Sequence, residues 1–280
     1  MSLTASEQYC LDEVRRHDHD RYLTALFLPA ERRAAALALY AFNLEIARTR
    51  EIVSEPLLGQ IRLQWWRETI EGLFAGNPRE HPVVDALGAA IRGHDLSRER
   101  LDGLIDAREA DLDDGPPPDV ESLEAYAAET SGELSALVMQ TLVRGGETSI
   151  TAARGVGTAW AIIGLARAVG FHAQTQRIYI PEDLLSEYEV ERRRLFDLKP
   201  SAGLNRSIEA MVTRAETFIA DARSSSPDIP KSARRGLLLA SLADRHIAAI
   251  RKAGFDPFAI PAAQASPVLR LAWAAWRGRY

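Results

Sequence analysis

The chain has 280 residues, 46% of them hydrophobic and 26% charged, with 18 Gly and 14 Pro. That is ordinary globular composition, long enough for one large domain or two small ones. A net charge of −5 gives no electrostatic reason to expect nucleic acid, and the lone Cys10 excludes an internal disulfide framework and fits a reducing compartment.

The N-terminal "MSLTASEQYCLDEVRRHDHD" is polar and acidic, unlike a secretory signal or an Arg-rich, acid-poor transit peptide. Helical patterning starts at once, with Ser6 as the expected cap of the first helix. "PAERRAAALALYAFNLEIARTREIV" places Pro29 in the first turn of the next, where a missing N–H costs little. "SEPLLGQIRLQWWRETIEGLFAG" has Ser54 as a cap, Pro56 near its start and Gly76 as its stop. Two further helices follow in "HPVVDALGAAIRGHD" and "SRERLDGLIDAREADLDD", the second capped by Ser97. "DDGPPPDV" at 113–120 is a loop, because three consecutive prolines cannot continue a helix.

"ESLEAYAAETSGELSALVMQTLVRGG" and "ITAARGVGTAWAIIGLARAVGFHAQ" read as two buried helices whose Ala and Gly allow close packing or a cavity. The longest membrane-span candidate, "GVGTAWAIIGLARAVGF", meets Arg167 after 12 uncharged residues, too few to cross a bilayer. "RIYIPEDLL" is a short extended passage ended by Pro181, and three more helices complete the chain. The expectation is one soluble all-α domain over residues 1–280, built of about ten helices and at most bound to a membrane surface.

"YAFNLE", "IRLQWWRETI", "HPVVDAL", "GTAWAIIGLARAV" and "RIYIPEDLL" occur in an order and spacing that resembles the squalene/phytoene synthase family along almost the whole chain. The resemblance implies an isoprenoid-synthase-type helical bundle around a central cavity, in a family that joins two prenyl diphosphates head to head. Ionising a prenyl diphosphate means stabilising a multiply charged leaving group. Mg²⁺ does this as a Lewis acid, bridging carboxylates and phosphate oxygens. Aspartates four apart share a helix face, so two facing helices can hold metal ions between them.

The family's first signature resembles Y-A-F-C-R-x-x-D-D-x-x-D. Tyr40, Ala41 and Phe42 match it, but its aspartate positions fall on Ala47, Arg48 and Glu51. Its Cys-Arg pair falls on Asn43-Leu44. The second resembles G-x-A-x-Q-L-T-N-I-L-R-D-x-x-x-D. Gly157, Ala159 and Arg167 match, while its Gln, Asn and two Asp positions become Ala161, Gly164, Ala168 and His172. Ala cannot ligate, and Arg48 brings positive charge to a cation's place, so both metal sites are dismantled apart from Glu51. The same replacements mark a non-catalytic branch of the family that acts in early assembly of respiratory complex I. This chain is similar to that branch at "LPAE", "AFNLE", "HDLSRERL", "IDAREADLDD", "LEAYAAETS" and "WRGRY".

Other clusters have two readings each. In "DAREADLDD", Glu109 and Asp113 stand i,i+4 and offer either a substitute metal site or, more plainly, a solvated acidic helix end before a Pro loop that could also face a partner. "HDHD" at 17–20 reads as surface polarity ahead of a zinc site, and His172 as a buried histidine ahead of a ligand. Tyr40, Phe42, Glu45, Trp66, Arg67, Tyr126, Arg167, Arg177 and Tyr179 are the candidates for a cavity wall or ligand site, with Trp65 expected in the core. Arg67, Arg167 and Arg177 either bind a phosphate or pair with Glu45, Glu51 and other acids. In "VLRLAWAAWRGRY", Leu269, Trp273 and Trp276 share helical spacing, with Arg270, Arg277 and Arg279 beside them; they either dock on the bundle or lie at a membrane interface.

The resemblance therefore implies a protein without catalytic residues or bound metal that works by binding. Its expected partner is a membrane-arm subunit or assembly intermediate of complex I, and its expected place is cytoplasmic, peripheral to the inner membrane. A lipid or isoprenoid in the inherited cavity is a further expectation. The alternatives are an active head-to-head prenyltransferase with displaced Mg²⁺ ligands, the one case needing that cofactor, and a lipid-binding regulator of an isoprenoid pathway.

Overall fold

The computed structural model describes residues 3–53, 55–261 and 266–280. Among them there is no strand, and the chain runs from helix to helix as its patterning requires. Helix α1 (Ala5–His17) begins at Thr4 rather than Ser6. The Thr4 hydroxyl accepts from the Glu7 N–H at 3.2 Å and the Glu7 carboxylate accepts from the Thr4 N–H at 2.8 Å, a reciprocal capping box. Ser6 instead donates to Asp85. Asp18 interrupts the run and caps α2 (His19–Ala25) by accepting from the Arg21 N–H. The next helices are α3 (Ala30–Ala47), α4 (Thr49–Ile52), α5 (Pro56–Ala75), α6 (Pro82–His94) and α7 (Arg98–Asp106). Pro29 is the residue before the first turn of α3, Pro56 opens α5, Gly76 closes it at φ +79° and Ser97 caps α7, accepting from the Arg100 N–H at 3.2 Å. The Ser54 cap lies outside the described residues.

A 3₁₀ run (Ala107–Leu112) follows α7 and leads into the Pro loop. The first of the two expected buried helices is divided into α8 (Val120–Ala127) and α9 (Glu133–Leu142) by a π turn at Ala128–Gly132. The second is α10 (Glu147–Arg167), followed after a break at Ala168 by α11 (Val169–Gln174). Then come α12 (Glu182–Glu187), α13 (Arg192–Phe196), α14 (Ala202–Ser224), α15 (Leu239–Lys252) and α16 (Val268–Arg277).

Two apolar cores share these helices. One gathers around α10, α14 and α15; the other joins α1, α3, α5, α6 and α7, with Phe42 and Trp66 fully buried in it. Helix α10, taken from Glu147, is long and apolar enough to cross a membrane by length and composition, which corrects the shorter count from the sequence. In this fold 61% of its apolar window is buried, as befits the helix at the centre of the first core. Its approach to the π turn is close: a Cβ on Gly157 would stand 2.2 Å from the Ser131 carbonyl oxygen. That contact requires glycine whatever else position 157 once served.

Candidate functional site

A pocket of about 740 Å³ opens where the ends of α3 and α10, with α4, α8, α11 and the 3₁₀ run, meet. Ala47, Arg50 and Glu51 come from the first helix pair, Arg108 and Asp111 from the 3₁₀ run, Asp114 from the loop after it and Tyr126 from α8. Leu165, Phe171 and His172 face them, with Thr175–Tyr179 closing the wall.

At its base lies a buried polar network. Tyr126 donates to Asp111 Oδ1 at 2.7 Å, Tyr179 donates to the same oxygen at 3.2 Å, and Arg108 donates to Asp111 Oδ2 at 3.2 Å. The Arg108 guanidinium also reaches the Tyr126 hydroxyl at 2.9 Å and the Asn43 side-chain carbonyl at 3.2 Å. Burial pushes both phenols up, and the neighbouring Asp111 carboxylate adds to this, so both remain protonated hydrogen-bond donors. Arg177 donates to the carbonyls of Asp111 and Asp113 at 2.6 and 2.8 Å and lies over the Tyr179 ring at 5.3 Å. The His172 ring is 4.6 Å from Tyr179. Burial and then the charge of Arg177 push its imidazole down to about 4, so it is neutral at pH 7, with Nδ1 buried and unpartnered.

Charge in the pocket is balanced. Arg50, Arg108 and Arg177 face Glu51, Asp111 and Asp114. Arg50 pairs with Asp114 at 3.2 Å, Arg108 with Asp111, and Glu51 with Arg48 at 3.8 Å. The one acid kept from the first signature is therefore occupied by the arginine at another of its positions. The donors do not fit a Mg²⁺ cluster: such ions need carboxylates on facing helices, and opposite Glu51 the α10–α11 wall offers Leu165, Phe171 and His172 and no carboxylate, while Asp111 is held in its buried network. Among the described residues no three His, Cys, Asp or Glu side chains gather in a metal-sized group.

The structure thus brings Ala47, Glu51, Tyr126, His172, Arg177 and Tyr179 to one pocket and leaves the other sequence candidates elsewhere. Phe42 packs edge-on to Trp66 at 5.3 Å, deep in the second core; Tyr40 is buried beneath the Arg21 guanidinium at 5.8 Å. These three are core residues: Phe42 and Trp66 meet between α3 and α5, and Tyr40 is covered from α2, so none lines the pocket. Trp65 is half-buried beneath Arg79. Glu45 pairs with Arg62 at 2.5 Å, and Arg67 bridges Asp106 and Glu109 at 2.7 and 2.5 Å, so its role is an ion pair. Arg167 is partly buried near Asp20 and Arg245, and Ala168 serves as the break between two helices.

In the acidic run, Glu109 and Asp114 are exposed as expected, but Asp111 is buried and central. The sequence reading missed Arg108 and Asp111. Their spacing of three, which brings two side chains onto one face of a 3₁₀ turn, is the signal that was available. In "HDHD", His17 pairs with Glu13, His19 stacks on Tyr22 and Asp20 reaches His246 at 3.3 Å, so the cluster is dispersed. Helix α16 docks through Leu271 and Ala274, not through the spaced aromatics: Leu269, Trp273 and Trp276 are 85%, 51% and 79% exposed.

An all-helical bundle of isoprenoid-synthase type, with a polar, charge-balanced pocket lined by the signature positions Ala47, Glu51 and His172, defines the class. The chain belongs to the squalene/phytoene synthase family, whose model matches residues 14–277. It is 30% identical over 282 residues to the Bos taurus protein named NADH dehydrogenase (ubiquinone) complex I, assembly factor 6, covering 100% of this chain and 85% of that protein. Among solved structures it superposes on a ligand-bound dehydrosqualene synthase with a TM-score of 0.86 at 18% identity, over 97% of this chain and 95% of that one. The squalene synthase HpnC from Alicyclobacillus acidocaldarius gives a TM-score of 0.79 at 21% identity, over 89% and 94%. At those identities the structural likeness is one of fold.

Proposed function

We propose that this chain acts by binding, as an assembly factor for respiratory complex I, and does not carry out prenyl transfer. One observation carries the reading: at the signature's carboxylate positions stand Ala47, Arg48, Ala168 and His172, and the remaining Glu51 is paired with Arg48. Without a divalent cation to accept its charge, a diphosphate leaving group has no stabilised way to depart. The relatives named complex I assembly factor 6 support this reading, and the partner we propose is a membrane-arm subunit or an assembly intermediate of that enzyme.

The pocket supports a ligand with a net-neutral head, since its three guanidiniums are matched by three carboxylates. A lipid or isoprenoid chain held there lies against Leu165 and Phe171. Contact with the membrane runs through the exposed Leu269, Trp273 and Trp276, flanked by Arg270 and Arg277.

Deleting the gene should lower assembled complex I, measured as NADH:ubiquinone activity and as intact complex on native gels. Complementation by the wild-type chain should restore both. Incubating the purified protein with Mg²⁺ and geranylgeranyl diphosphate should release no diphosphate. Steady release, with complex I unaffected by the deletion, would refute the proposal in favour of a prenyltransferase.

A further inference from the structure

A second cleft, of about 520 Å³, shares no lining residue with the first. It opens where the first turn of α3, the C-terminal end of α6, the end of α9 and the start of α10 meet. Arg32, Arg92 and Arg144 all line it, with His94 among them and Asp95 as the one carboxylate of the lining. The usual fate of an arginine in this protein is a carboxylate: Arg21, Arg62, Arg67, Arg100, Arg108 and Arg223 each have one. Here that pairing fails. Among the described residues Arg92 and Arg144 make no side-chain hydrogen bond or ion pair, and Asp95 pairs with neither. Arg32 reaches only the His94 ring, at Nδ1 and 2.8 Å.

That single bond fixes more than it satisfies. A guanidinium only donates, so Nδ1 must accept, which puts the His94 proton on Nε2 and leaves the ring neutral. Burial, then the charges of Arg32 and Arg144, hold its imidazole below the ordinary value, as expected of a site with uncompensated positive charge. Helix α10 starts at the same place, after Gly145 and Gly146, without a side-chain cap on its leading N–H groups. The competing explanation is that the arginines merely complement the carbonyl ends of α6 and α9. Arg92 does lie in the last turn of α6, where the helix dipole favours it, but no guanidinium of the three donates to those carbonyls, so their forks stay available to a ligand. Leu142, Val143 and Ile150 add an apolar wall beside the charges, and the volume exceeds that of a bare phosphate ion.

We propose that this cleft is a binding site for a phosphate ester with a compact apolar part, its phosphate held by Arg32, Arg92 and Arg144. The assignment is independent of the assembly-factor reading, because it uses none of the same residues. Phosphate oxygens suit guanidinium forks, and Arg92 and Arg144, solvent-exposed and without a carboxylate partner among the described residues, are free to turn onto a dianion beside Arg32, with Asp95 the one opposing charge of the lining.

The test follows the His94 ring by NMR in the full-length protein at constant ionic strength, with inorganic phosphate and phenyl phosphate as probes. Saturable binding should move the His94 titration upward, because a nearby dianion favours imidazolium, and phenyl phosphate should bind more tightly than inorganic phosphate. Arg92→Gln and Arg144→Gln should each weaken binding about tenfold, the loss of one charge-assisted contact, with unchanged circular dichroism. Arg193→Gln, an exposed arginine on α13, should change nothing. Retention of the wild type but not of Arg92→Gln/Arg144→Gln on phosphatidate-containing vesicles would assign the phosphate to a lipid head group. Phenyl phosphate binding without such retention would assign it to a soluble ester. Shifts that sodium chloride reproduces, or that survive in the double variant, overturn the proposal.

Discussion

Asp111 is the acceptor on which the pocket floor converges, and replacing it by Ala is the most informative single change. The side chains of Arg108 and Asp111 are 11% and 9% exposed, so their pairing is a buried one. Asp111→Ala removes an acceptor used by Tyr126, Tyr179 and Arg108 and leaves a guanidinium with only neutral partners, Tyr126 and Asn43. Breaking a buried pair from one side costs about 3–5 kcal/mol. The pocket above is open to water, so the lower end applies, about 3 kcal/mol. Removing both charges in Arg108→Met/Asp111→Ala avoids the uncompensated ion and should recover most of that loss. Urea denaturation of wild type, both single variants and the double variant, followed by circular dichroism at pH 7, gives the coupling energy. A coupling of at least about 2 kcal/mol is expected. A cost below about 1 kcal/mol for Asp111→Ala, with coupling near zero, would show that solvent already screens Arg108 and that the floor is not the organised network described.

Three further outcomes follow from the same structure. Gly157→Ala should destabilise by about 3 kcal/mol, because its Cβ meets a backbone oxygen at 2.2 Å, whereas Gly164→Ala, with nothing within 4 Å, should be neutral or gain up to about 1 kcal/mol of helix propensity; thermal melts of the pair decide this. The folded His172 titrates at about 4 and the unfolded one near 6.5, so as pH falls the unfolded chain takes up the proton first. Its contribution is complete above pH 6.5 and is lost between 6.5 and 4, to a total of about 3 kcal/mol, and His172→Phe should remove that segment of the stability–pH curve. Thr4→Ala should cost about 1 kcal/mol by opening the capping box, and Ser6→Ala less, a difference readable in urea midpoints.

Helix content and most helix ends were legible because their causes are local. Pro56 and Gly76 act through their own backbone preferences, and Ser97 caps within one turn. The breaks that shape the pocket were not, because their causes lie elsewhere in the fold. The π turn at Ala128–Gly132 sits where Gly157 of α10 comes within a Cβ's reach of Ser131, a contact between segments distant in sequence. The pocket's aromatic wall was legible at Tyr126 and Tyr179, whereas Tyr40, Phe42 and Trp66 went to the core. Apolar periodicity marks a buried face without saying whether a cavity or a neighbouring helix covers it. Asp111 was hidden by its surroundings: in a run of five acids between 106 and 114, composition makes solvent the default for each.

The substitutions at the signature positions are better understood together than singly. A metal-binding helix pair concentrates carboxylates whose repulsion the bound cations relieve; losing the cations while keeping the acids would leave that repulsion unpaid. In this chain the acids at 47, 48, 168 and 172 are gone, and the carboxylates that remain around the pocket each have an arginine: Arg48 for Glu51, Arg50 for Asp114, Arg108 for Asp111. On the proposed reading, guanidinium charge takes over the balancing role of the metal. The two are not equivalent for chemistry. A metal ion can accept a substrate oxygen into an open coordination position, whereas a guanidinium committed to a carboxylate would have to break that pair to do the same. Restoring one aspartate, as in Ala47→Asp, therefore adds negative charge beside Glu51 without freeing any oxygen for a cation. Mg²⁺ affinity requires removing Arg48 and rebuilding acids on α10 or α11 as well. On the proposed reading the pocket is a balanced polar site, several coordinated substitutions away from a metal centre.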